Sequence, residues 1–489
     1  MTGFCAAQRL PSVLITGAGS GCGKTTVSLA LMAACRKRGL SVHPFKTGPD
    51  FIDPGWHTAA CGVASLNLDP WMQSWKEFPE NAAHQLFLHP RPLAETGAVH
   101  SAPDIAVIEG AMGLYDGLPG VAASAADVAL ALHIPLLLVI NVRGMSASAA
   151  AVARGLAGLR PGLSVAGALC VMSGSERHEA FLRSAFAEFC PDIPLFGVLP
   201  RMENIALPSR HLGLTQAAEF CQHAEDASFF ARLADLAETH IDLDALLTRL
   251  RDLAPSFPPS GNTFFSSRTT QADAMEERGK PVRIALARDE AFSFWYPENT
   301  TLLEKAGAEL VPFSPVHDAG LPPDSHGLIL PGGYPELHAE RLSANASMRE
   351  AIRLFAEDHT VYGECGGFLY LMTGLEKDGK TFPLCNCLPL RARMESRHAA
   401  LGYREAQGLS GPWKNLTVRG HEFHYSRVIE KSAEIPPLWE LRIPSASSLS
   451  GPCRECEGAS LGYVSGSYVH LSLLSHPDAA RSFVSCCRP

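Results

Sequence analysis

The stretch Ser12–Gly39, SVLITGAGSGCGKTTVSLALMAACRKRG, decides the fold of the first half of this 489-residue sequence. A short β-branched run feeds a loop carrying Gly17, Gly19, Gly21 and Gly23, and an apolar-periodic segment then runs to a helix stop at Gly39. Strand, glycine loop and helix in that order form a phosphate-binding unit, because successive backbone N–H groups and the helix N-terminus face an anion. Lys24 is suited to reach the β- and γ-phosphates, the Thr25 hydroxyl suits Mg²⁺, and Thr26 extends the same nucleotide-binding turn. The strict GxxxxGK[ST] pattern requires glycine at position 18, which is Ala18 here.

Beyond the loop, HPFKTGPDFIDPGWHTAACG (43–62) places Asp50 and Asp53 in a Gly/Pro-rich loop after the second expected strand. Open α/β sheets bind ligands at the C-terminal ends of their strands. Aspartates in such loops often only form turns. In DIAVIEGAMGLYDG (104–117) an apolar strand ends at Glu109, and a carboxylate at that tip would join Thr25 and Asp50 or Asp53 as a hard oxygen ligand for Mg²⁺.

The second half turns on VYGECGGFLYLM (361–372), where Cys365 stands between glycines at what reads as a sharp strand-to-helix turn. Such a turn holds a nucleophile exposed at the end of a sheet, and Gly363, Gly366 and Gly367 allow the backbone to approach closely. A buried structural cysteine is the commoner fate of the residue type. Three features weigh against it here. His470, in SGSYVHLSLL (465–474), is available as a base to generate the thiolate. Gly332 and Gly333, in LILPGGYPELHAE (328–340), offer backbone N–H groups for an oxyanion, a role worth about 3 kcal/mol per donor. The order strand, PGGYPE, elbow, histidine resembles that of class I glutamine amidotransferases. Many of these carry a glutamate two residues beyond the histidine, a position held here by Ser472, so the group that orients His470 is left open.

The shifted glycines of the first loop resemble the dethiobiotin-synthetase-like branch of P-loop proteins. The ordered motifs FKTGPDFIDPGWHTAACG, NLDPWM (67–72), IEGAMGLYDG, GSERH (174–178), RHLGL (210–214), RIALARDEAFSFWYPEN (283–299), PFSP (312–315), PGGYPELHAE, ECGG and GHEFHYS (420–426) together resemble the cobyrinic acid a,c-diamide synthases nearly end to end. The resemblance implies ATP- and glutamine-dependent amidation of two acetate carboxylates of cobyrinic acid in cobalamin biosynthesis. In that reading Lys24 and Thr25 handle ATP and Mg²⁺; Asp50, Asp53 and Glu109 serve metal binding and carboxylate activation; and Cys365 and His470 hydrolyse L-glutamine. The sequence departs from the family pattern at Val171 and Met172, where asparagine and arginine are common, at Asn141 for aspartate and at Ser209 for glutamate.

The implied architecture is α/β: a P-loop domain with a doubly wound, mainly parallel sheet over 1–255, a linker over 256–280, and a class I amidotransferase-like α/β domain over 281–489. Strands are expected near Val13, Val42, Ile105, Leu136, Ala166 and Leu195, then near Ile284, Leu310, Leu328 and Val361, with a β-rich region from about Arg391. The composition, 46% hydrophobic, suffices for two cores, and 41 basic against 50 acidic residues give a net charge of −9 that argues against a nucleic-acid partner. An anionic polycarboxylate would then meet a local basic patch, with Lys46, Arg177, Arg210 and His211 as candidates. The longest apolar stretch, 128–140, contains His133 and Pro135 and is too short to span a bilayer. Without an evident signal peptide, and with 14 scattered cysteines, a cytoplasmic location is expected, with no membrane partner. Cys385 and Cys387 with Cys453 and Cys456 are the weaker case for a zinc site. A homodimer is carried as a further expectation. Other readings stay open: cobyric acid synthase, a relative acting on hydrogenobyrinic acid or nickel sirohydrochlorin, and a P-loop switch with a degenerate amidase module.

Overall fold

The structure is a computed structural model and describes residues 8–79, 81–82, 103–118, 122–201, 209–210, 213–214, 225–257, 280–431, 434–444 and 454–488. The chain divides into two compact units, residues 1–71 with 75–267, and 72–74 with 268–489.

The first unit is built on a seven-stranded sheet in the order Leu66–Leu68, Val42–Thr47, Ile105–Glu109, Ser12–Gly17, Leu136–Asn141, Val165–Ser173, Leu195–Pro200. Every neighbouring pair is parallel. Alternation along each strand sends Val13, Ile15, Leu137 and Val139 into one core, and Leu14, Leu136, Leu138 and Ile140 into another. The first core is closed by the helices Lys24–Lys37, Glu225–His240 and Leu243–Asp252, the second by Ala125–Leu132 and its neighbours. The six expected strands are present, with Leu66–Leu68 as an edge strand too short to stand out in sequence. The apolar stretch 128–140 divides into a helix end and the strand Leu136–Asn141. Ser256–Phe257, at the start of the expected linker, pairs antiparallel with Gln8–Arg9; residues 258–279 of that linker lie outside the described residues.

The second unit contains a six-stranded sheet in the order Ala308–Phe313, Val282–Ala287, Gly327–Leu330, Thr360–Glu364, Val464–Ser467, Ala459–Leu461. Its first five strands are parallel and the last is antiparallel. The β-rich region begins earlier than Arg391: Met372–Lys377 and Lys380–Pro383 already pair as an antiparallel hairpin around Asp378 and Gly379, both with positive φ. These strands join Leu388–Met394 and Ser426–Lys431 in a four-stranded sheet. A five-stranded antiparallel sheet ends with Thr417–His424 paired to His470–Ser472.

Candidate active site

In the first unit the glycine loop leaves the strand Ser12–Gly17 and turns into the helix Lys24–Lys37 through Gly23, whose φ of 100° is the left-handed conformation that glycine tolerates. The first turn of that helix has no acidic residue, so its positive end is uncompensated from within. Lys24 folds back over the loop, donating from Nζ to the Gly19 carbonyl at 2.8 Å. Thr25 and Thr26 lie in the first helical turn.

Parallel pairing sets Lys46 directly opposite Glu109 at the C-terminal ends of their strands. Lys46 Nζ lies 2.9 Å from Glu109 Oε1, is bonded to Asp53, and stands 3.9 Å from Asp50. Thr25 Oγ1 donates to the same Glu109 oxygen at 2.7 Å, and His57 Nε2 lies 2.8 Å from Glu109 Oε2. Thr25, Asp50, Asp53 and Glu109 are therefore brought together, as the sequence reading expects. Lys46 and His57 complete the group, and the sequence reading gave neither of them this place. Lys46 is buried at 3% exposure inside this cluster, so it is not part of an open basic patch.

The electrostatics follow from burial with a surplus of acid. Burial works against the Glu109 carboxylate, but Lys46, His57 and Thr25 overcome it and hold Glu109 far below the usual carboxylate range. Burial likewise works against the Lys46 ammonium, and Glu109, Asp53 and Asp50 together raise it. Asp53 is pushed well up by burial and by Glu109 beside it, against the pull of Lys46. Asp50 also shapes the loop, accepting the backbone N–H groups of Ile52 and Asp53 at 2.8 and 3.2 Å. Among the described residues no three His, Cys, Asp or Glu side chains form a metal cage. The hydroxyl of Thr25 beside the Glu109 carboxylate, with Asp50 close by, nevertheless fits Mg²⁺, which takes one or two carboxylates and fills its other positions with water and phosphate oxygens.

At Val171 and Met172, where the sequence departs from the family pattern, Met172 adopts a φ of 69° and the strand pairing shifts register between Val171 and Ser173. Of the expected basic patch, Arg177 lies over the Phe181 ring at 5.4 Å, the Arg210 side chain and His211 lie outside the described residues, and Lys46 is withdrawn as above.

In the second unit Cys365 stands between the strand Thr360–Glu364 and the helix Gly366–Leu371 with φ 49° and ψ −101°, a strained conformation for a residue with a side chain. The strain is held by packing. Cys365 N–H donates to the Ser467 carbonyl at 2.7 Å, and a Cβ on Gly367 would lie 1.8 Å from the Leu330 carbonyl oxygen, so the helix lies against the neighbouring strand. His470 is buried, and Cys365 is among the groups that act on its charge. Gly332 presses on its ring, since a Cβ there would fall 2.3 Å from His470 Cε1. A Cβ on Gly366 would fall 3.1 Å from the Gly333 backbone nitrogen, so the elbow and the expected oxyanion turn are neighbours.

Glu364, one residue before Cys365, meets His470: its Oε1 lies 3.2 Å from His470 Nδ1, while Oε2 accepts from Leu471 N–H at 3.1 Å and Tyr362 OH at 3.3 Å. A glutamate ending a buried strand calls for a partner, and that was the available signal in the sequence. The Ser472 hydroxyl, at the position where many amidotransferases carry their glutamate, is buried with no hydrogen-bond partner among the described residues. Burial works against a charged His470, but Cys365 and Glu364 raise its pKa to about 10. His421 stacks on it with centroids 4.9 Å apart and is held well below its ordinary value by burial, His470 and Arg404. For the weaker zinc reading, Cys453 lies outside the described residues, and Cys385, Cys387 and Cys456 are free thiols.

Comparison with known proteins accounts for both halves. Residues 13–214 match the CobQ/CobB/MinD/ParA nucleotide binding domain, and residues 283–478 match the CobB/CobQ-like glutamine amidotransferase domain. The cobyrinate a,c-diamide synthase of Syntrophotalea carbinolica is 40% identical over 486 residues, covering 98% of this chain and 99% of that relative. The Salmonella typhimurium protein of the same name is 38% identical, covering 99% of each chain. The hydrogenobyrinate a,c-diamide synthase of Streptomyces coelicolor is 38% identical with full coverage of both. Two α/β units of these kinds, joined in this order and related over their whole length to these proteins, place the chain in the family of cobyrinate and hydrogenobyrinate a,c-diamide synthases.

Proposed function

We propose that the protein amidates the a and c acetate carboxylates of cobyrinic acid, using ATP and glutamine. The observation that carries this reading is the pairing of Cys365 with His470 at a strained elbow, in a chain whose other unit gathers Thr25, Lys46, Asp53 and Glu109 at the end of a glycine loop.

At the elbow, the Cys365 thiolate attacks the glutamine amide carbon. The proton held by His470 passes to the departing nitrogen, ammonia leaves, and water hydrolyses the thioester to glutamate and free thiol. The N–H groups around Gly332 and Gly333 are assigned to the oxyanion.

In the first unit, a substrate carboxylate attacks the γ-phosphoryl group of ATP, giving an acyl phosphate and ADP. Ammonia then attacks the acyl carbon and phosphate departs, forming the amide. The activation is needed because a bare carboxylate would have to expel oxide. Lys24 offsets phosphate charge, Thr25 and Glu109 with Asp50 would hold Mg²⁺, and Lys46 sets the charge state of Glu109 and Asp53. Bound Mg²⁺ supplies neutralisation of the phosphate oxygens. The relatives named for hydrogenobyrinate support a second reading, the same two amidations on the metal-free ring. A cytosolic location suits a reactive thiol and the free cysteines of the described residues.

The test is mass spectrometry after incubating purified protein with Mg-ATP, glutamine, and either cobyrinic or hydrogenobyrinic acid. Two amidations are expected. A folded, ATP-binding sample that amidates neither ring would overturn the reading.

A further inference from the structure

We infer that Glu364 is the positioning residue of the glutamine site, holding His470 with Nδ1 toward its own carboxylate so that Nε2 is the ring nitrogen left for Cys365. This rests on the reading of Cys365 as nucleophile and His470 as base.

Three observations carry it. First, Glu364 and His470 are both buried, at about 1% exposure, and meet at 3.2 Å. Second, the carboxylate accepts from three donors at once, since Leu471 N–H and Tyr362 OH occupy Oε2 while Oε1 takes the ring nitrogen. An acceptor so engaged cannot rotate without leaving a buried N–H unpaired, so the imidazole orientation is fixed along with the backbone of the strand that bears it. Third, the position where many class I amidotransferases place this carboxylate is Ser472, whose hydroxyl finds no partner among the described residues. The orienting charge has moved from the histidine strand to the residue beside the nucleophile.

The consequence is a coupled elbow. Glu364 ends the strand and Cys365 forms the turn that follows it, so two neighbours in sequence bear on the same imidazole. The groups that bear on the His470 charge are Cys365, Glu364 and the stacked His421, with Glu422 and His424 on the adjoining strand. Of these, Glu364 is the carboxylate in direct hydrogen-bond contact.

The test compares E364Q, E364D and C365A in the full-length protein, using glutamine and then ammonium chloride as nitrogen source. Glutamine can accept at only one oxygen and must turn a donor toward one of the three hydrogens. E364Q is therefore expected to lower glutamine-dependent kcat by about 100-fold or more, with KM for glutamine within about threefold and ammonia-dependent amidation retained. The alkaline limb of its pH profile should move to lower pH by about one unit, because the imidazolium loses its anionic partner, and E364D should restore part of the rate. An unchanged kcat and pH profile in folded E364Q overturns the proposal. If C365A keeps its glutamine-dependent activity, the underlying reading of the nucleophile fails instead. Should E364Q not fold, nitrogen-15 histidine NMR of the unmodified protein, with the His470 signal identified by its loss in H470Q, decides the matter. Read at a pH above the titration of the ring, where one nitrogen is bare, a protonated Nδ1 supports the proposal and a bare Nδ1 overturns it.

Discussion

Lys46 Nζ and Glu109 Oε1 lie 2.9 Å apart in the first unit, each side chain at most 4% exposed, as opposite members of a parallel strand pair. Breaking a buried pair leaves an uncompensated charge, so Glu109→Gln should lower stability by about 3–5 kcal/mol. It should also abolish amidation with either glutamine or ammonia. Urea unfolding and the two-nitrogen assay check this together. Wild-type turnover with ammonia in a folded E109Q would remove Glu109 from the synthetase chemistry.

Cys365→Ala should eliminate glutamine hydrolysis and leave amidation from ammonium chloride intact. The two activities are read on the same sample by glutamate release and product mass. Loss of both would mean that the elbow and the synthetase site are not separable in the way proposed.

Gly332→Ala places a methyl group where His470 Cε1 now lies, 2.3 Å from the ideal Cβ position. The ring must move, and a displacement on that scale costs on the order of 100-fold in rate. Glutamine-dependent turnover should fall by that factor while ammonia-dependent turnover persists. An unaltered glutaminase rate would show that the ring tolerates displacement.

The pKa of His470 is raised from an ordinary value of 6.5 to about 10, because Cys365 and Glu364 outweigh burial. A group raised on folding contributes stability that is fully present below its unfolded pKa and is lost as pH climbs through the folded one. Urea midpoints should therefore decline between about pH 6.5 and 10, and the decline should be shallower in His470→Gln. His421 works in the opposite sense, since its depressed pKa makes it cost stability as pH falls below its ordinary value. Equal pH slopes in H470Q and the unmodified protein would contradict the assignment.

Much of this was legible from the residues. The glycine loop, the apolar run ending in Glu109 and the glycine-flanked Cys365 are local patterns, and each lies where such patterns are expected to lie. Lys46 fits the expectation of a basic patch only in isolation, because its partner Glu109 is set by strand register, which no local window contains. Glu364 is hidden from a local pattern for a related reason: the ring it meets is 106 residues away. The hairpin Met372–Pro383 does carry a local signal, the two-residue Asp378-Gly379 turn, though its flanking strands alternate only weakly.

The strand that carries the elbow gains its second neighbour, Val464–Ser467, from a segment about 100 residues further along the sequence, after the strands of a mixed four-stranded sheet and most of a five-stranded one. Cys365 N–H and the Glu364 carboxylate both wait for groups in that last segment, Ser467 and His470. The elbow is therefore complete only once residues 464–470 have docked beside it, a closure of long sequence separation that makes this sheet slow to finish in folding.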